Sequence, residues 1–299
     1  MSRRLRVPAL LALATSLALT APAAADAAKS KPKPAKPQLY VSLGDSYATG
    51  YQATGVRQGA NTAQGYANQL VPLARKRGYR LRLVNFGCGG ANTTSILQTP
   101  ACAEQARAVG GPVYTKPQAD AAIDFIRKHR KRVGLITVSI GGNDVTACAR
   151  QPDPVPCVAT AVQGIETNVS ELARRLRQAA GPKVPIVGIT YPDVILGGWV
   201  TGAQQLAQLS VVAFQQFINP TLEKAYAAGK GTFVDVTTAT GAYGSLDETT
   251  TLEPYGTIPV PVARVCELTY YCEFQDIHAR TEGYRVIAEL IAQTLPRRR

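Results

Sequence analysis

Short apolar runs alternate with longer amphipathic stretches along most of the chain. Five apolar runs have the length and composition of buried strands, at 39–43, 80–86, 133–140, 184–190 and 232–236. Between and after them, apolar residues recur at helical spacing over 64–77, 117–130, 159–179, 203–228 and 280–295. Apolar strands alternating with amphipathic helices predict an α/β fold, with a central, mostly parallel five-stranded sheet between two helical layers.

One long segment departs from this alternation. Residues 237–271 are rich in Thr, Pro, Gly and Tyr and show neither period. Loops of this length inside a compact domain are usually functional or disordered. Because the segment ends just before His278, we expect a long loop that forms one wall of a functional site.

The amino-terminal residues form a separate region. Arginines at positions 3, 4 and 6 precede an apolar stretch, and Ala23 and Ala25 follow as an A-x-A pair. This order predicts a secretory signal peptide over 1–27, and therefore a secreted, extracellular protein. A membrane anchor is disfavoured because the apolar stretch is short and is interrupted by Thr and Ser.

Lysine then alternates with proline over 28–37, which predicts an extended, solvated linker before one domain over 38–299. Much of the net charge of +13 lies outside that domain, in the leader, the linker lysines and the arginines at 297–299. A basic linker and tail favour transient contact with lipid or anionic surfaces. They do not make a nucleic-acid-binding domain, so we expect no nucleic-acid partner, and we expect a monomer.

Six cysteines in an exported chain predict disulfides. Sequential pairing is favoured because each pair then encloses a short polar or Pro- and Gly-containing loop. The expected bridges are Cys88–Cys102, Cys148–Cys157 and Cys266–Cys272. A zinc site is disfavoured because there is no C-x-x-C and only two histidines are present, so we expect no metal.

Glycine-bearing polar turns follow the first three predicted strands, at 44–50, 85–92 and 141–144. Ligands of an open parallel sheet bind beyond the carboxyl ends of its strands, so these turns should share one rim. Each turn alone indicates no more than a tight turn that caps a helix. Together, in this order, they predict a site.

A serine nucleophile needs a neighbouring general base, which is usually histidine. His129 lies in a basic helix end and is expected at the surface, whereas His278 directly precedes the last helix. The sequence therefore pairs Ser46, in the first turn, with His278.

These segments resemble the sequence blocks of the SGNH (GDSL-type) hydrolases. Residues 44–50 match G-D-S-x-x-x-G, and 85–90 and 141–144 resemble the second and third blocks. His278 is followed five residues later by Gly283, as in the last block. With the leader and the cysteines, the chain is most similar to secreted lipases and esterases of actinobacteria. The resemblance implies a three-layer α/β/α, flavodoxin-like fold and no cofactor.

The resemblance also implies an oxyanion hole, made of preorganised donors that stabilise a tetrahedral intermediate. Its donors would be the backbone N–H groups of Ser46 and Gly90 and the side-chain amide of Asn143. Gly89 is an alternative for the middle donor.

The last block departs from the family pattern D-x-x-H. Asp276 precedes His278 by two residues, and Gln275 stands at the third position back. Either Asp276 orients the imidazole, or a main-chain carbonyl near Gln275 does so and the enzyme is a Ser–His dyad.

The expected function is hydrolysis of carboxylic esters of lipids or other acyl groups through a Ser46 acyl-enzyme. A polysaccharide or cell-wall acetylesterase and a phospholipase A are alternatives, and a non-catalytic surface-binding protein is a remote one. An open aromatic groove would favour sugars, and a deep apolar one would favour acyl chains. Apolar residues at 194–199 either line such a groove or pack on the sheet, and 204–217 is interpreted as an ordinary amphipathic helix.

Overall fold

Nine strands are present in the computed structural model, which describes residues 36–298. They are β1 (Gln38–Gly44), β2 (Tyr51–Gly55), β3 (Gln58–Asn61), β4 (Leu81–Asn85), β5 (Val133–Ser139), β6 (Ile186–Ile189), β7 (Thr232–Val234), β8 (Thr249–Leu252) and β9 (Gly256–Pro259). Five of them form a parallel sheet in the order β4-β1-β5-β6-β7, the flavodoxin-like order. The other four pair as two antiparallel hairpins, β2–β3 and β8–β9.

The same residues form twelve α-helices. They are α1 (Ser46–Thr49), α2 (Tyr66–Arg75), α3 (Ser95–Gln98), α4 (Gln118–Lys128), α5 (Gly142–Thr146), α6 (Pro154–Ala180), α7 (Gln204–Ala213), α8 (Asn219–Ala227), α9 (Val236–Ala239), α10 (Val260–Leu268), α11 (Tyr271–Phe274) and α12 (Thr281–Thr294). Short 3-10 helices cover Glu104–Ala106, Cys148–Arg150 and Val194–Thr201, and a π-helical turn over Phe214–Ile218 joins α7 to α8.

The sheet is covered on both faces, as the apolar composition of its strands requires. Every residue of β5 is buried, with Ile136 and Val138 facing one hydrophobic cluster and Leu135 facing the other. Helices α4, α6 and α8 supply the first cluster, and α2 and α12 supply the second. The predicted three-layer α/β/α fold with a five-stranded parallel sheet is confirmed.

The segment 237–271 differs from its prediction as a long loop. It contains the β8–β9 hairpin and α10, and its apolar residues Ile258, Val262 and Val265 are buried in a third cluster with Leu196. The apolar positions are too few and too unevenly spaced along the sequence to show a strand or helix period. The cluster forms because they meet the 3-10 helix at Val194–Thr201.

All three disulfides of the sequential pairing are present: Cys88–Cys102, Cys148–Cys157 and Cys266–Cys272. The first closes the segment after β4, the second joins the 3-10 helix at Cys148–Arg150 to the start of α6, and the third joins α10 to α11. Within residues 36–298 no helix has the length and hydropathy needed to cross a bilayer. The predicted signal peptide at 1–27, and the linker at 28–37 except its last two residues, lie outside the described residues.

Gly188 in β6 provides a test of this packing. A Cβ there would lie 2.2 Å from ring atoms of Tyr226, whose side chain is fully buried. We expect Gly188→Ala to lower the free energy of unfolding by about 1–3 kcal/mol, because the ring has no free space to move into. Urea unfolding would measure the change.

Gly164 in α6 is the matched control, since a Cβ there meets nothing within 4 Å. Gly164→Ala should be neutral or stabilise by up to about 1 kcal/mol, because alanine loses less backbone entropy than glycine in a helix. Equal effects of the two substitutions would contradict the close packing of α8 on the sheet.

Candidate active site

A tight turn at the carboxyl end of β1 sets the position of Ser46. Gly44 has φ +134°, and a Cβ there would lie 2.0 Å from the carbonyl oxygen of Ser139 in β5. The side-chain amide of Gln118 accepts from the Gly44 N–H at 2.7 Å and donates to the Gly44 carbonyl at 3.0 Å. Ser46 is thus held as the first residue of α1, at the rim of the sheet.

Asp45, between these two residues, stabilises the turn. Its carboxylate accepts from the backbone N–H of Tyr47 at 2.9 Å, capping α1, and from the hydroxyl of Tyr191 at 2.5 Å. Burial raises the pKa of Asp45 to about 6, although the Tyr191 hydrogen bond opposes the rise. Asp45 therefore holds the turn in place through its hydrogen bonds.

The structure brings Ser46, His278 and Asp276 into one hydrogen-bonded chain. His278 Nε2 lies 2.7 Å from Ser46 Oγ, and His278 Nδ1 lies 2.7 Å from Asp276 Oδ1. When Nδ1 donates its proton to the carboxylate, the Nε2 lone pair faces the serine hydroxyl. A serine, a histidine and a carboxylate in this order are the arrangement used for nucleophilic acyl transfer.

Asp276 reaches the imidazole despite its short spacing from it in sequence. Its Oδ1 also accepts from the backbone N–H of His278 at 2.9 Å. This local turn directs the Asp276 side chain toward Nδ1 of the imidazole. Burial raises the pKa of Asp276, but the hydrogen bond from His278 and its charge outweigh burial and hold the pKa below 3.8. In the described chain, the ring nitrogens bond only to Ser46 and Asp276, and no carbonyl near Gln275 bonds to them.

Two tyrosines support the histidine. The Tyr47 hydroxyl donates to the Ile277 carbonyl at 2.7 Å, which ties the His278 segment to α1. The Tyr51 ring packs against the imidazole with centroids 4.3 Å apart, and the Tyr284 hydroxyl donates to the Tyr51 carbonyl. Sequence reasoning missed both supports, because they join residues more than 220 positions apart and leave no local pattern.

The three expected oxyanion donors lie on the turns that follow β1, β4 and β5. The Gly89 N–H donates to the Ala106 carbonyl at 2.7 Å and is therefore occupied. Gly90 adopts φ +80°, and nothing in the described chain accepts from its N–H. The Asn143 amide donates one proton to the Ala91 carbonyl at 2.8 Å, which orients the amide, and no acceptor within residues 36–298 takes its second proton.

An apolar pocket of about 500 Å³ opens beside Ser46. Its walls are the amino-terminal part of α6, the helix α7 with the π-helical turn, and the start of the 3-10 helix at Val194–Thr201. Residues from the three walls include Val158, Val162, Ile195, Leu206, Ala213 and Phe214.

The pocket decides one alternative that the sequence left open and corrects two expectations. Val194 and Ile195 line it, whereas Leu196 and Trp199 pack into the third cluster behind it. The segment 204–217 is more than the ordinary amphipathic helix that was expected, because it forms a pocket wall and its second part is a π-helical turn. No residue of 237–271 lines the pocket; that segment supports the 3-10 helix from behind.

Other polar clusters do not add to the site. His129 caps the C-terminus of α4 and packs against Phe125 with the two rings tilted, and it makes no contact with Ser46 in the described chain. Asp144 accepts from the Thr93 backbone and hydroxyl and so stabilises a turn. Within residues 36–298, His, Cys, Asp and Glu side chains form no group of three or more that could hold a metal ion.

Known proteins share this fold and these sequence blocks. The sequence profile of the GDSL-like lipase/acylhydrolase family matches residues 42–286. Lipase 1 of Streptomyces coelicolor is 27% identical over 245 residues, which cover 77% of this chain and 80% of that protein.

Two solved structures align over 86% of this chain. An extracellular lipase from Streptomyces rimosus aligns over all of its own length with 19% identity and a TM-score of 0.51. A lipase from a goat rumen metagenome aligns over 96% of its length with 15% identity and a TM-score of 0.52. These two structures support the fold.

Fold, sequence blocks and site together define a carboxylic ester hydrolase. Because the family profile covers most of the chain, the protein belongs to the GDSL-like lipase/acylhydrolase family.

Asp193 connects two walls of the pocket and leads to a test of pH dependence. It is fully buried at the start of the 3-10 helix, and its Oδ2 accepts from the Ser210 hydroxyl of α7 at 2.8 Å. In the described chain its Oδ1 has no partner. Burial raises the pKa of Asp193 to about 7, although the Ser210 hydrogen bond opposes the rise.

A raised carboxyl pKa means that the folded state holds a proton the unfolded state has lost. The free energy of unfolding should therefore fall by about 2–3 kcal/mol through this group between about pH 5 and pH 8. Asp193→Asn, which resembles the protonated form, should remove that part of the pH dependence. Chemical denaturation of the wild type and of Asp193→Asn at about pH 5 and about pH 8 measures this change in the free energy of unfolding. The same change in both proteins would contradict the burial of an ionisable carboxyl group at position 193.

Proposed function

We propose that the protein is an exported hydrolase of lipid and other acyl esters that works through a Ser46 acyl-enzyme. The observation that carries this proposal is an apolar pocket of about 500 Å³ that opens directly beside the Ser46–His278 pair. A nucleophile at the end of an apolar pocket suits an ester whose acyl chain fills the pocket and whose carbonyl lies over the hydroxyl.

In the first half-reaction, Ser46 Oγ attacks the ester carbonyl carbon and His278 Nε2 takes the hydroxyl proton. The carbonyl oxygen becomes an oxyanion, stabilised by the Ser46 and Gly90 N–H groups and the Asn143 amide. The intermediate collapses, the C–O bond to the alcohol breaks, and His278 gives its proton to the leaving oxygen. Asp276 stabilises the imidazolium throughout and holds its tautomer.

In the second half-reaction, water attacks the acyl carbon and loses a proton to His278 Nε2. A second oxyanion forms in the same place and collapses: the bond between the acyl carbon and Ser46 Oγ breaks, the carboxylic acid leaves, and His278 Nε2 returns its proton to Oγ. His278 acts as the base in both half-reactions. One imidazole next to Ser46 Oγ is therefore sufficient for the whole cycle.

The pocket favours acyl chains over sugars. Asp45 is the one ionisable carboxylic or basic residue on its lining, and its carboxylate is buried and bonded to Tyr191. A polysaccharide would need exposed hydrogen-bonding groups and aromatic platforms along an open groove. The acetylesterase alternative therefore ranks below hydrolysis of acyl esters with several methylenes.

Export is supported by three further features. The sequence begins with a predicted signal peptide, and three disulfides pair all six cysteines. Disulfides persist in oxidising compartments outside the cytosol. The structurally similar Streptomyces rimosus protein is an extracellular lipase.

A series of p-nitrophenyl esters from acetyl to palmitoyl tests the function. We expect kcat/KM to rise about fourfold per added methylene until the pocket is full, because each buried CH₂ contributes about 0.8 kcal/mol. Ser46→Ala should abolish turnover across the series. An optimum at acetyl would favour the acetylesterase, and equal rates for the wild type and Ser46→Ala would refute Ser46 catalysis.

Replacing Asp276 by Asn separates a triad from a dyad. Asp276→Asn should lower kcat by about 10⁴ with little change in KM, since the amide stabilises neither the working tautomer nor the imidazolium. Glu273→Gln is the control, because it removes a charge three residues away on an exposed carboxylate paired with Arg280. An Asp276→Asn enzyme within about tenfold of the wild type would support the dyad.

A further inference from the structure

Exposed apolar side chains concentrate around the mouth of the pocket. Eight large apolar residues in the described chain are exposed, and four of them line this pocket. These four, here called the collar, are Val155, Leu209, Val212 and Phe217, with 50–62% of each side chain accessible. Single exposed apolar residues are ordinary, but a group around one opening marks an interaction surface.

The collar belongs to two segments without charge. No Asp, Glu, Lys or Arg occurs over 154–165 or over 194–222, although 18% of the chain is charged. The exposed polar neighbours of the collar on α7 and the π-helical turn are glutamines, such as Gln208 and Gln216. These two segments of the pocket wall are therefore uncharged, and they carry the exposed apolar collar.

The π-helical turn helps to direct the collar outward. Phe214 and Ile218 of this turn are buried, whereas Phe217 between them is 54% exposed. A soluble helix normally turns its apolar residues inward and its polar residues outward. Here the outer face of the α7 wall is apolar at Leu209, Val212 and Phe217, and Val155 adds to it from the start of α6.

We propose that the collar docks the enzyme on the surface of an uncharged lipid aggregate, with the pocket mouth facing the lipid. The collar is continuous with the pocket lining, so a docked enzyme offers an acyl chain an apolar path from the aggregate to Ser46. This orientation rests on the proposed function, whereas the docking itself does not need Ser46. A protein partner is disfavoured because the cores of such interfaces are enriched in Tyr, Trp and Arg, and the collar has one aromatic residue and no arginine.

Docking through the collar should not depend on salt. The chain is strongly basic, so anionic surfaces attract it from many directions through charges that salt screens. Insertion of uncharged apolar side chains into a lipid interface is not screened in this way. Vesicles of phosphatidylcholine alone, in about 0.5 M NaCl, therefore isolate the contribution of the collar.

The experiment uses residues 28–299, the chain without its predicted signal peptide, carrying Ser46→Ala so that no lipid is hydrolysed, and it measures cosedimentation with these vesicles. Adding Leu209→Asp and Phe217→Asp should weaken partitioning by about tenfold or more, because two charges would have to enter the interface. Val56→Asp and Val113→Asp are the matched controls, since both side chains are exposed and lie away from the pocket. Thermal unfolding checks that all variants are folded.

Binding that survives salt and is lost only in the collar variants supports the proposal. Equal vesicle binding by the collar variants and the control variants would overturn the proposal. So would release of the protein with an unmodified collar from the vesicles by salt. So would a concentration-dependent dimer in gel filtration that Phe217→Asp dissociates while the vesicles bind nothing, because the collar would then contact a second copy. Hydrolysis by Ser46→Ala in the ester assay would refute the catalytic proposal and leave the vesicle result unaffected.

Discussion

The close approach of β1 and β5 at Gly44 is the constraint on which the site depends. No side chain fits there, because a Cβ would lie 2.0 Å from the Ser139 carbonyl, and Gln118 holds both polar groups of the Gly44 backbone. These contacts fix the direction in which the chain leaves β1, and Ser46 begins α1 at the rim of the sheet. The serine therefore owes its position to the packing of buried backbone at the end of β1.

The histidine comes from the other end of the chain and depends on a different part of the core. His278 lies 232 residues from Ser46 and directly precedes α12, which packs with α2 on one face of the sheet. Gly283 allows α12 to approach the Leu268 carbonyl, since a Cβ there would lie 2.3 Å from that oxygen. The 2.7 Å contact between His278 and Ser46 is thus a consequence of helix docking, and the Tyr47 hydroxyl secures it locally.

The pocket is built mainly from the opposite layer. The helices α6 and α8, which cover the other face of the sheet, continue into the pocket walls through Val162, Phe214 and Ile218. The catalytic hydrogen bonds of His278 therefore come from one helical layer and the apolar pocket walls from the other, and both reach Ser46. This division lets the collar and the helical walls of the pocket be apolar without disturbing the hydrogen-bonded network that holds His278, in which Asp276 carries a negative charge.

The sequence by itself determined the elements whose signals are local. Strand and helix periods indicated the five-stranded sheet, and glycine turns after successive strands indicated the rim that holds Ser46 and Asn143. Short loops between cysteines indicated the disulfide pairing. The same local reasoning failed for 237–271, where Ile258 and Val262 are buried by contact with a distant 3-10 helix rather than by any period of their own.

Tertiary structure decided the features that depend on contacts between distant residues. The reach of Asp276 to the imidazole, the occupied N–H of Gly89 beside the free N–H of Gly90, and the support from Tyr51 are such features. The apolar residues at 194–199 and the amphipathic pattern at 204–217 are visible in the sequence, but which of their side chains turn toward a pocket depends on how α7 packs. A sequence pattern shows which face of a single helix or strand is buried. It does not show which faces of different elements meet, and the site forms where they do.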